Sequence, residues 1–578
     1  MLKKNSYLLF IALLTPVVFV ALFTLRTLDD NSLTSWQWVF ESVDASRMYF
    51  ILIVGVIVAY LLSKVSLPVH CPDLVLFSVS FAVAVIFWGE PEVIVDASRY
   101  FTQAKHLEVY GITYFFREWG NGISAWTDLP LVPFLYGLIF RFIGECRFYV
   151  QIFTTFLFSM AVVLTFRIGK TLWSEDTGFF AGLALLGIPY LFTQIPLMLV
   201  DVPTMFFLTL SVFAFTKALF NGGLGMVTLS SFSLFLAFFS KYSTWPTLSI
   251  LVIIFLICRT RNKELATRNC LFRAFLIIAA ASIMVSVVFF SKFDVFSEQI
   301  KLLNSYQRPG LRRWGESFLS TFFFQIHPFI TLSALYSAWV AFRKRDGKYL
   351  IICWGLILVI LFQVKRIRYI LPLFPMVALM ASYGLQQIRD RQVRKFIILC
   401  ILFSSLGVAS FGYLSFTQKI SAVNLKDAGK FVDSLEGETV EVYTLAKDRP
   451  IINPAVFVPI LDIFTHKKIR YHDSARFSPG EEDLETSRFR FTWQYMSPGY
   501  YLKNNDCLQE HNPIVIIADG HDEILPDFVT QKIMGYQTKK EFEADEGVFL
   551  QKTFVTVYAP GNASKNPPKD RNKEGWRN

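Results

Sequence analysis

The first 415 residues alternate between long apolar stretches and short polar connectors. Thirteen of these stretches approach the about 20 residues that a helix needs to cross a bilayer. The pattern therefore predicts a polytopic α-helical membrane protein of about 13 spans. We place the spans near 7–25, 48–63, 73–88, 148–166, 178–193, 203–220, 224–239, 245–258, 271–290, 318–342, 349–363, 369–386 and 396–415.

The distribution of Lys and Arg predicts which ends of the spans face the cytoplasm. Three connectors are rich in Lys and Arg, at 259–268, 343–348 and 389–395. Even numbers of spans separate them, so all three lie on one side, which the positive-inside rule makes the cytoplasm.

A further apolar run, 129–144, is short and begins with two prolines. Lys3, Lys4 and Lys64 also fall on the cytoplasmic side if this run does not cross. We therefore predict a helix that lies at the membrane interface. Asp96 and the C-terminal tail are then both extracytoplasmic.

The tail after residue 420 is polar, and its pattern predicts a small α/β domain. It has β-type runs at Thr439–Thr444, Ile514–Ala518 and Gly547–Tyr558, and a helical pattern at Leu425–Ser434. The last stretch is rich in Lys, Asn and Pro, carries a sequon at Asn562, and is predicted to be disordered. The predicted domains are 1–70 (two extra N-terminal transmembrane helices), 71–420 (catalytic membrane domain with extracytoplasmic loop 89–147), 421–560 (α/β domain) and 561–578 (disordered tail).

The composition is typical of a membrane protein and argues against a nucleic-acid partner. The chain is 53% hydrophobic, with a mean hydropathy of +0.44 and only 17% charged residues. The net charge is +11. The Lys and Arg residues lie in the connectors between spans, as membrane topology requires, so this charge does not predict a nucleic-acid partner. There is no CxxC, zinc spacing, P-loop or GxGxxG, and no DxD triplet stands near the candidate acids. We predict no cofactor and leave a metal ion open.

The longest polar interruption of the membrane half is the loop from Glu90 to Asp128. Asp96 opens its helical stretch DASRYFTQAKHL and shares a helix face with Tyr100 at i, i+4. A carboxylate there can take a proton from a hydroxyl as a general base. The alternative is a helix N-cap.

Asp201 is the second candidate acid, at the outer end of a predicted span. An ionisable residue at that depth is costly and is by default a functional candidate. Pro203 soon after it also fits a helix start, so a capping role is again the alternative.

Several bases fall on the extracytoplasmic side, against the positive-inside trend. They can contact lipid headgroups, or they can clamp a phosphate, for which Arg is well suited. These bases are Lys241, Arg308, Arg312, Arg313, Lys365, Arg366 and Arg368.

The segment DASRY resembles the D-E-x-R-Y signature of the aminoarabinose transferases and protein O-mannosyltransferases. Four more stretches are similar to segments of that superfamily, in the same order: DLPLVPFLYGLIFRFIGE, GKTLWSEDTGFFAGLALLGIPY with PLMLVDVPTMFF, FLAFFSKYSTWP, and RYILPLFPMVALMASYGL. The resemblance covers roughly residues 70–390 and implies a GT-C fold. It departs from the signature at Ala97, where the family has Glu, and in the two spans that precede the usual first helix.

The resemblance implies a role for each matching residue. Asp96 is expected to be the catalytic base, and Asp201 to support it. The expected substrate-binding residues are Arg99, Tyr100, Lys241, Arg366, Arg368 and Tyr369, with Lys241 and Arg368 near a donor phosphate.

The leading hypothesis is a membrane glycosyltransferase that is mannosyltransferase-like. It would move a hexose or pentose from a polyprenyl (dolichyl or undecaprenyl) phosphate to an extracytoplasmic protein, lipid or glycan. One alternative is a transporter or flippase of lipid-linked sugars, although we find no internal repeat of the kind transporters often show. Another is a scaffold whose folded tail binds a partner.

Overall fold

The computed structural model is mostly helical in the membrane part and ends in a small sheet domain. It describes residues 2–41, 44–65, 70–261, 264–310, 315–419, 422–445, 452–473, 480, 484, 487, 489–501, 512–518, 525–544 and 553–560. The predicted disordered tail 561–578, with Asn562, lies outside these residues.

The helices follow one another through the chain as the apolar pattern predicts. They are α1 Leu2–Thr24, α2 Trp36–Val39, α3 Ala45–Lys64, α4 Pro72–Val85, α5 Ile94–Tyr110, α6 Ile112–Glu118, α7 Leu131–Phe142, α8 Arg147–Leu172, α9 Glu175–Leu185, α10 Pro189–Phe192, α11 Asp201–Phe220, α12 Leu224–Ser240, α13 Thr244–Thr247, α14 Ile250–Arg261, α15 Glu264–Ser291, α16 Phe293–Leu302, α17 Arg308–Gly310, α18 Pro328–Lys344, α19 Tyr349–Leu361, α20 Ile367–Ile370, α21 Phe374–Leu385, α22 Arg391–Gly407, α23 Ser415–Thr417, α24 Val423–Asp433, α25 Phe457–Asp462, α26 Arg490–Trp493 and α27 Asp527–Ile533. Segments Ser320–Gln325 and Val408–Leu414 are π-helical.

Among the described residues, seven helical stretches are long and apolar enough to cross a membrane, which makes this an integral membrane protein. They are Lys4–Thr24, Ala45–Lys64, Arg147–Leu172, Asp201–Phe220, Arg268–Ser291, Ile367–Leu385 and Arg391–Thr417. Five shorter apolar helices accompany them, so the predicted count of 13 spans is not confirmed.

Two predicted spans are interrupted in the structure. The run 178–193 breaks between α9 and Pro189, and the run 318–342 breaks before Pro328. Both prolines stand at the start of a new helix. Proline has no backbone N–H to continue the preceding helix, and its fixed φ suits the first helical turn.

The apolar run 129–144 forms α7, a helix of 12 residues. At 1.5 Å per residue it is about 18 Å long, too short for a hydrocarbon core of about 30 Å. It packs closely on α5, because a Cβ at Gly137 would lie 2.7 Å from the Cβ of Leu107 and 2.9 Å from the carbonyl oxygen of Ala104. Glycine at 137 thus lets α7 support the helix that carries Asp96.

The tail forms a five-stranded mixed sheet of order β2-β1-β3-β5-β4. The strands are β1 Thr439–Thr444, β2 Lys468–Asp473, β3 Ile514–Ala518, β4 Tyr536–Glu543 and β5 Phe554–Pro560. β1 pairs in parallel with β2 and β3, whereas β5 is antiparallel to β3 and β4. The small α/β domain is confirmed. The predicted runs at 439–444 and 514–518 form β1 and β3. The described part of the predicted run 547–558 lies in β5, while residues 547–552 are outside the described residues. The more polar β2 and β4 were not predicted.

The sheet domain packs directly against α5. Ser98 donates to the carbonyl oxygen of Val456 at 2.6 Å, and the Lys105 ammonium lies 2.6 Å from the carboxylate of Asp462. Ala97 is buried in the same apolar cluster as the sheet. Helix α5 is therefore held between α7 and the C-terminal domain.

Candidate active site

Asp96 lies in the first turn of α5. The residue before the helix is Val93, and no side chain caps the α5 N-terminus. The carboxylate instead accepts a hydrogen bond from Nη1 of Arg368, and its other oxygen lies 3.7 Å from Nη1 of Arg99. The capping interpretation of Asp96 is wrong.

Asp201 opens α11 and is fully buried. Its carboxylate lies 2.5 Å from the Lys241 ammonium and 2.8 Å from Nε of Arg368. It does not cap its helix either. Lys241 ends α12 in an extended conformation, and Arg368 lies in α20. Tertiary structure thus brings together the two acids and two of the bases that the sequence singled out.

Arg99 extends this arrangement to a third acid. Its Nη2 lies 2.5 Å from Oδ1 of Asp128, and Nε2 of Gln103 lies 3.2 Å from Oδ2 of the same carboxylate. Sequence analysis identified Asp128 only as the end of the loop. It follows Arg99 by 29 residues, a spacing that carries no pairing signal, so only the folded loop places it here.

The charged groups form one continuous row in which bases and acids alternate. The row runs Lys241, Asp201, Arg368, Asp96, Arg99, Asp128. Buried charges are tolerated when they are paired and hydrogen-bonded. The opposite charges of the row therefore neutralise one another in the ligand-free protein, and Arg368 joins the two halves of the row.

The row sets the protonation of the loop carboxylates. Burial raises the pKa of Asp96, but the positive charges of Arg368 and Arg99 outweigh it and hold this pKa well below its usual range. At Asp128 burial is the larger effect, and it raises the pKa despite Arg99. Asp96 is therefore ionised at neutral pH. Its side chain is 22% exposed, whereas that of Asp201 is not exposed at all.

The remaining predicted substrate-binding residues surround the row. Two cations lie near the ring of Tyr369, with Nζ of Lys241 5.0 Å and Cζ of Arg366 5.9 Å from its centroid. Arg366 also lies 3.5 Å from Glu316. Tyr100 is buried and has the Arg99 guanidinium 5.6 Å from its ring.

Other sequence candidates do not join the row. Arg308 and Lys365 are exposed, and Arg312 and Arg313 lie outside the described residues. Glu92, the buried acid that precedes α5, pairs with Arg147 at 2.6 Å. The side chains of two further residues missed by sequence reasoning, Trp126 and Phe491, lie 5.5 and 5.1 Å from the Arg99 guanidinium.

Across the part of the chain that the structure describes, no group of three or more His, Cys, Asp or Glu side chains could hold a metal ion. Each carboxylate of the row faces a base instead. The donor set at this site consequently suits an anionic ligand that competes for the bases.

Comparison with known proteins identifies the fold. No protein-family model and no curated protein sequence matches the chain. The fold is similar to that of ArnT from Cupriavidus metallidurans. Its apo and undecaprenyl phosphate-bound crystal structures superpose with TM-scores of 0.50 and 0.51, at 12% identity, over 84% of this chain and 97% of that chain. The oligosaccharyltransferase of Archaeoglobus fulgidus matches with a TM-score of 0.48, 10% identity, 77% and 69% coverage. The predicted GT-C fold is confirmed.

Replacement of the buried acid should destabilise the protein more than replacement of the loop acid. Asp201→Asn leaves Arg368 and Lys241 buried without their shared partner, a change that costs about 3–5 kcal/mol. Asp96→Asn should cost less, because Asp96 is partly exposed and Arg99 keeps Asp128. Apparent melting temperatures in detergent check this order.

Asp73→Asn is the matched control. Asp73 is also a first-turn aspartate, but its pair with Arg167 is exposed, and such pairs contribute roughly 0–1 kcal/mol. Equal melting temperatures for the Asp201 and Asp73 variants would contradict the burial argument.

Proposed function

We propose that this protein is a glycosyltransferase that moves a sugar from a polyprenyl phosphate to an acceptor hydroxyl outside the cytoplasm. The observation that carries the proposal is the row of alternating acids and bases centred on Asp96. It stands in a fold like that of ArnT, a protein crystallised with undecaprenyl phosphate. No observation favours the transporter or flippase alternative.

The chemistry is a single displacement with inversion. The acceptor oxygen forms a bond to the anomeric carbon, and the bond from that carbon to the phosphate oxygen breaks. Asp96 takes the proton of the acceptor hydroxyl as general base. The negative charge that develops on the leaving phosphate is stabilised by Arg368 and Lys241, with Arg366 nearby.

The ligand-free geometry explains how a strongly acidic carboxylate becomes a base. Asp96 is a weak base while Arg368 donates to it, because a lowered pKa means a low proton affinity. A phosphate that takes the Arg368 hydrogen bonds removes this stabilisation of the ionised form and raises the Asp96 pKa. Donor binding thereby activates the base, so acceptor attack follows donor binding.

The sugar that we propose is a hexose or pentose, as in mannosyltransferase-like enzymes. Support comes from the aromatic lining of the site. Tyr100, Tyr369, Trp126 and Phe491 lie around the bases, and aromatic faces offer an apolar wall beside the polar groups, as small-ligand sites commonly do.

Turnover of polyprenyl-phosphate sugars tests the function. Purified protein is incubated with a panel of radiolabelled undecaprenyl- and dolichyl-phosphate sugars and a mixture of acceptor membranes. We expect release of polyprenyl phosphate by the wild type and at least a hundredfold lower rate for Asp96→Asn, since a general base contributes about 10²–10⁴-fold.

The control is again Asp73→Asn, which should turn over at the wild-type rate. Wild-type activity in Asp96→Asn would refute the role of Asp96. Absence of both binding and release across the whole panel would refute the donor class.

The pH profile tests the electrostatics of the base. A lowered pKa keeps Asp96 ionised as the pH falls from 7 to 5, so kcat/KM, which reports the free enzyme, should show no acid limb from Asp96. Arg99→Gln removes one of the cations that stabilise ionised Asp96, and this raises the Asp96 pKa. We expect an acid limb to appear at higher pH in this variant. Initial rates between pH 4.5 and 8 measure it, and identical profiles would contradict the argument.

The orientation proposed for the site is extracytoplasmic, because the basic connectors define the cytoplasmic side. Two cysteines at opposite ends of the spans test it. Cys71, exposed before α4, should be cytoplasmic, and Cys146, before α8, should be outside. Variants that keep one cysteine each are treated with a membrane-impermeant maleimide. We expect labelling of Cys146 in intact spheroplasts and of Cys71 only after permeabilisation; the reverse pattern would refute the orientation.

A further inference from the structure

The two N-terminal spans that precede the segments resembling the transferase superfamily contact the rest of the molecule through the loop between them. Helix α3 packs along α22, and α1 packs on both. The connecting residues 29–36 are not a solvated surface loop. Asp29, Asn31, Thr34 and Ser35 are all buried, so the loop is inserted into the membrane domain.

Asp29 is the centre of this insertion. Its carboxylate accepts hydrogen bonds from the backbone N–H of Trp36 at 2.7 Å, from Oγ of Ser320 at 2.5 Å and from Nε2 of Gln325 at 2.8 Å. Gln325 in turn accepts from the Thr34 hydroxyl at 2.8 Å. The N-terminal loop is thus bonded to both ends of the π-helical segment Ser320–Gln325.

A second connection leads from the same loop toward the charged row. Ser32 donates to Oε1 of Glu316 at 2.9 Å, while Oε2 of Glu316 accepts from the backbone N–H of Ile367 at 3.2 Å. Glu316 is buried and also lies 3.5 Å from Nε of Arg366. One carboxylate therefore contacts the N-terminal loop and the residues on both sides of the 366–367 peptide bond.

The segment held in this way is the one that carries the central base. Thr321 adds a hydrogen bond to the carbonyl oxygen of Lys365 at 2.5 Å. Residues 365–367 are fixed immediately before Arg368, whose guanidinium joins Asp96 to Asp201. When a side chain that binds a charged ligand shifts by about 1 Å, it loses much of its contribution to the site.

We propose that the N-terminal loop 29–36 is a positioning element of the donor-phosphate site, acting through Glu316 on Arg366 and Arg368. The inference rests on the proposed function and deepens it. It gives the two extra spans a role: they carry a loop that sets the place of the phosphate-binding segment without touching the substrate. Glu316 and Ser32 are the positioning residues.

The test compares two lipids that differ only in the phosphate group. Binding of undecaprenyl phosphate and of uncharged undecaprenol is measured for wild type, Glu316→Gln and Ser32→Ala in nanodiscs. The amide introduced by Glu316→Gln has one acceptor oxygen where the carboxylate has two, so its NH₂ group must face either Ser32 and Arg366 or the backbone N–H of Ile367, and it repels the donor that it faces. We expect Glu316→Gln to weaken undecaprenyl phosphate binding about tenfold, Ser32→Ala to weaken it less, and undecaprenol binding to stay unchanged.

Hydrogen exchange provides a readout that needs no ligand. The backbone N–H of Ile367 donates to the Glu316 carboxylate. In Glu316→Gln this N–H faces either a neutral amide oxygen, which is a weaker acceptor than a carboxylate, or an NH₂ group, which cannot accept, so peptides that contain Ile367 should exchange faster than in wild type. Ser46→Ala is the matched control, because Ser46 lies in the same helical hairpin but its hydroxyl bonds to the exposed cap residue Asp44. It should match the wild type in all measurements.

The outcomes separate the two proposals. Unchanged exchange at Ile367, or equal loss of affinity for both lipids, would overturn the positioning inference while leaving the transferase intact. Wild-type affinity for undecaprenyl phosphate in Glu316→Gln would do the same. Failure of the wild type itself to bind undecaprenyl phosphate would overturn the donor class and the inference together.

Discussion

The guanidinium of Arg368 is the contact on which the site depends. It bonds Asp96 of the loop helix α5 through Nη1 and Asp201 of the membrane domain through Nε. Two carboxylates buried this close together repel each other unless a cation lies between them. A single arginine with its planar fork of donors satisfies both in fixed directions, which a lysine does not. The loop helix α5 and the span α11 are held in register by this one side chain.

In the proposed mechanism, this constraint couples binding to chemistry. The bases that a donor phosphate would use already pair with carboxylates, so the phosphate competes with these acids for Arg368 and Lys241. The acid that is partly exposed, Asp96, is the one that can leave. Asp201 stays buried between both bases and keeps them in place. The same residues therefore neutralise the ligand-free site and, in the proposed mechanism, release the general base once the donor is bound.

Several segments outside the membrane spans hold the row in place. Helix α5 is supported by α7 on one side and by the sheet domain through Ser98 and Lys105 on the other. The segment before Arg368 is held by Glu316 and, through it, by the N-terminal loop. Each support reaches the row from a different part of the chain, which is the expected arrangement where side chains must be fixed to within about 0.5 Å.

The sequence by itself determined that this is a helical membrane protein, much of the order of its helices and the presence of a small α/β domain. It also singled out the two acids and their principal bases. Those features follow from hydrophobic run length, from charge asymmetry and from short segments that keep their order. The tertiary structure decided which charges meet. Asp128 and Glu316 carry no local signal, because their partners Arg99 and Arg366 are far along the chain. It also decided that the caps suggested at Asp96 and Asp201 do not form, since a buried carboxylate gains more from a guanidinium than from a helix end.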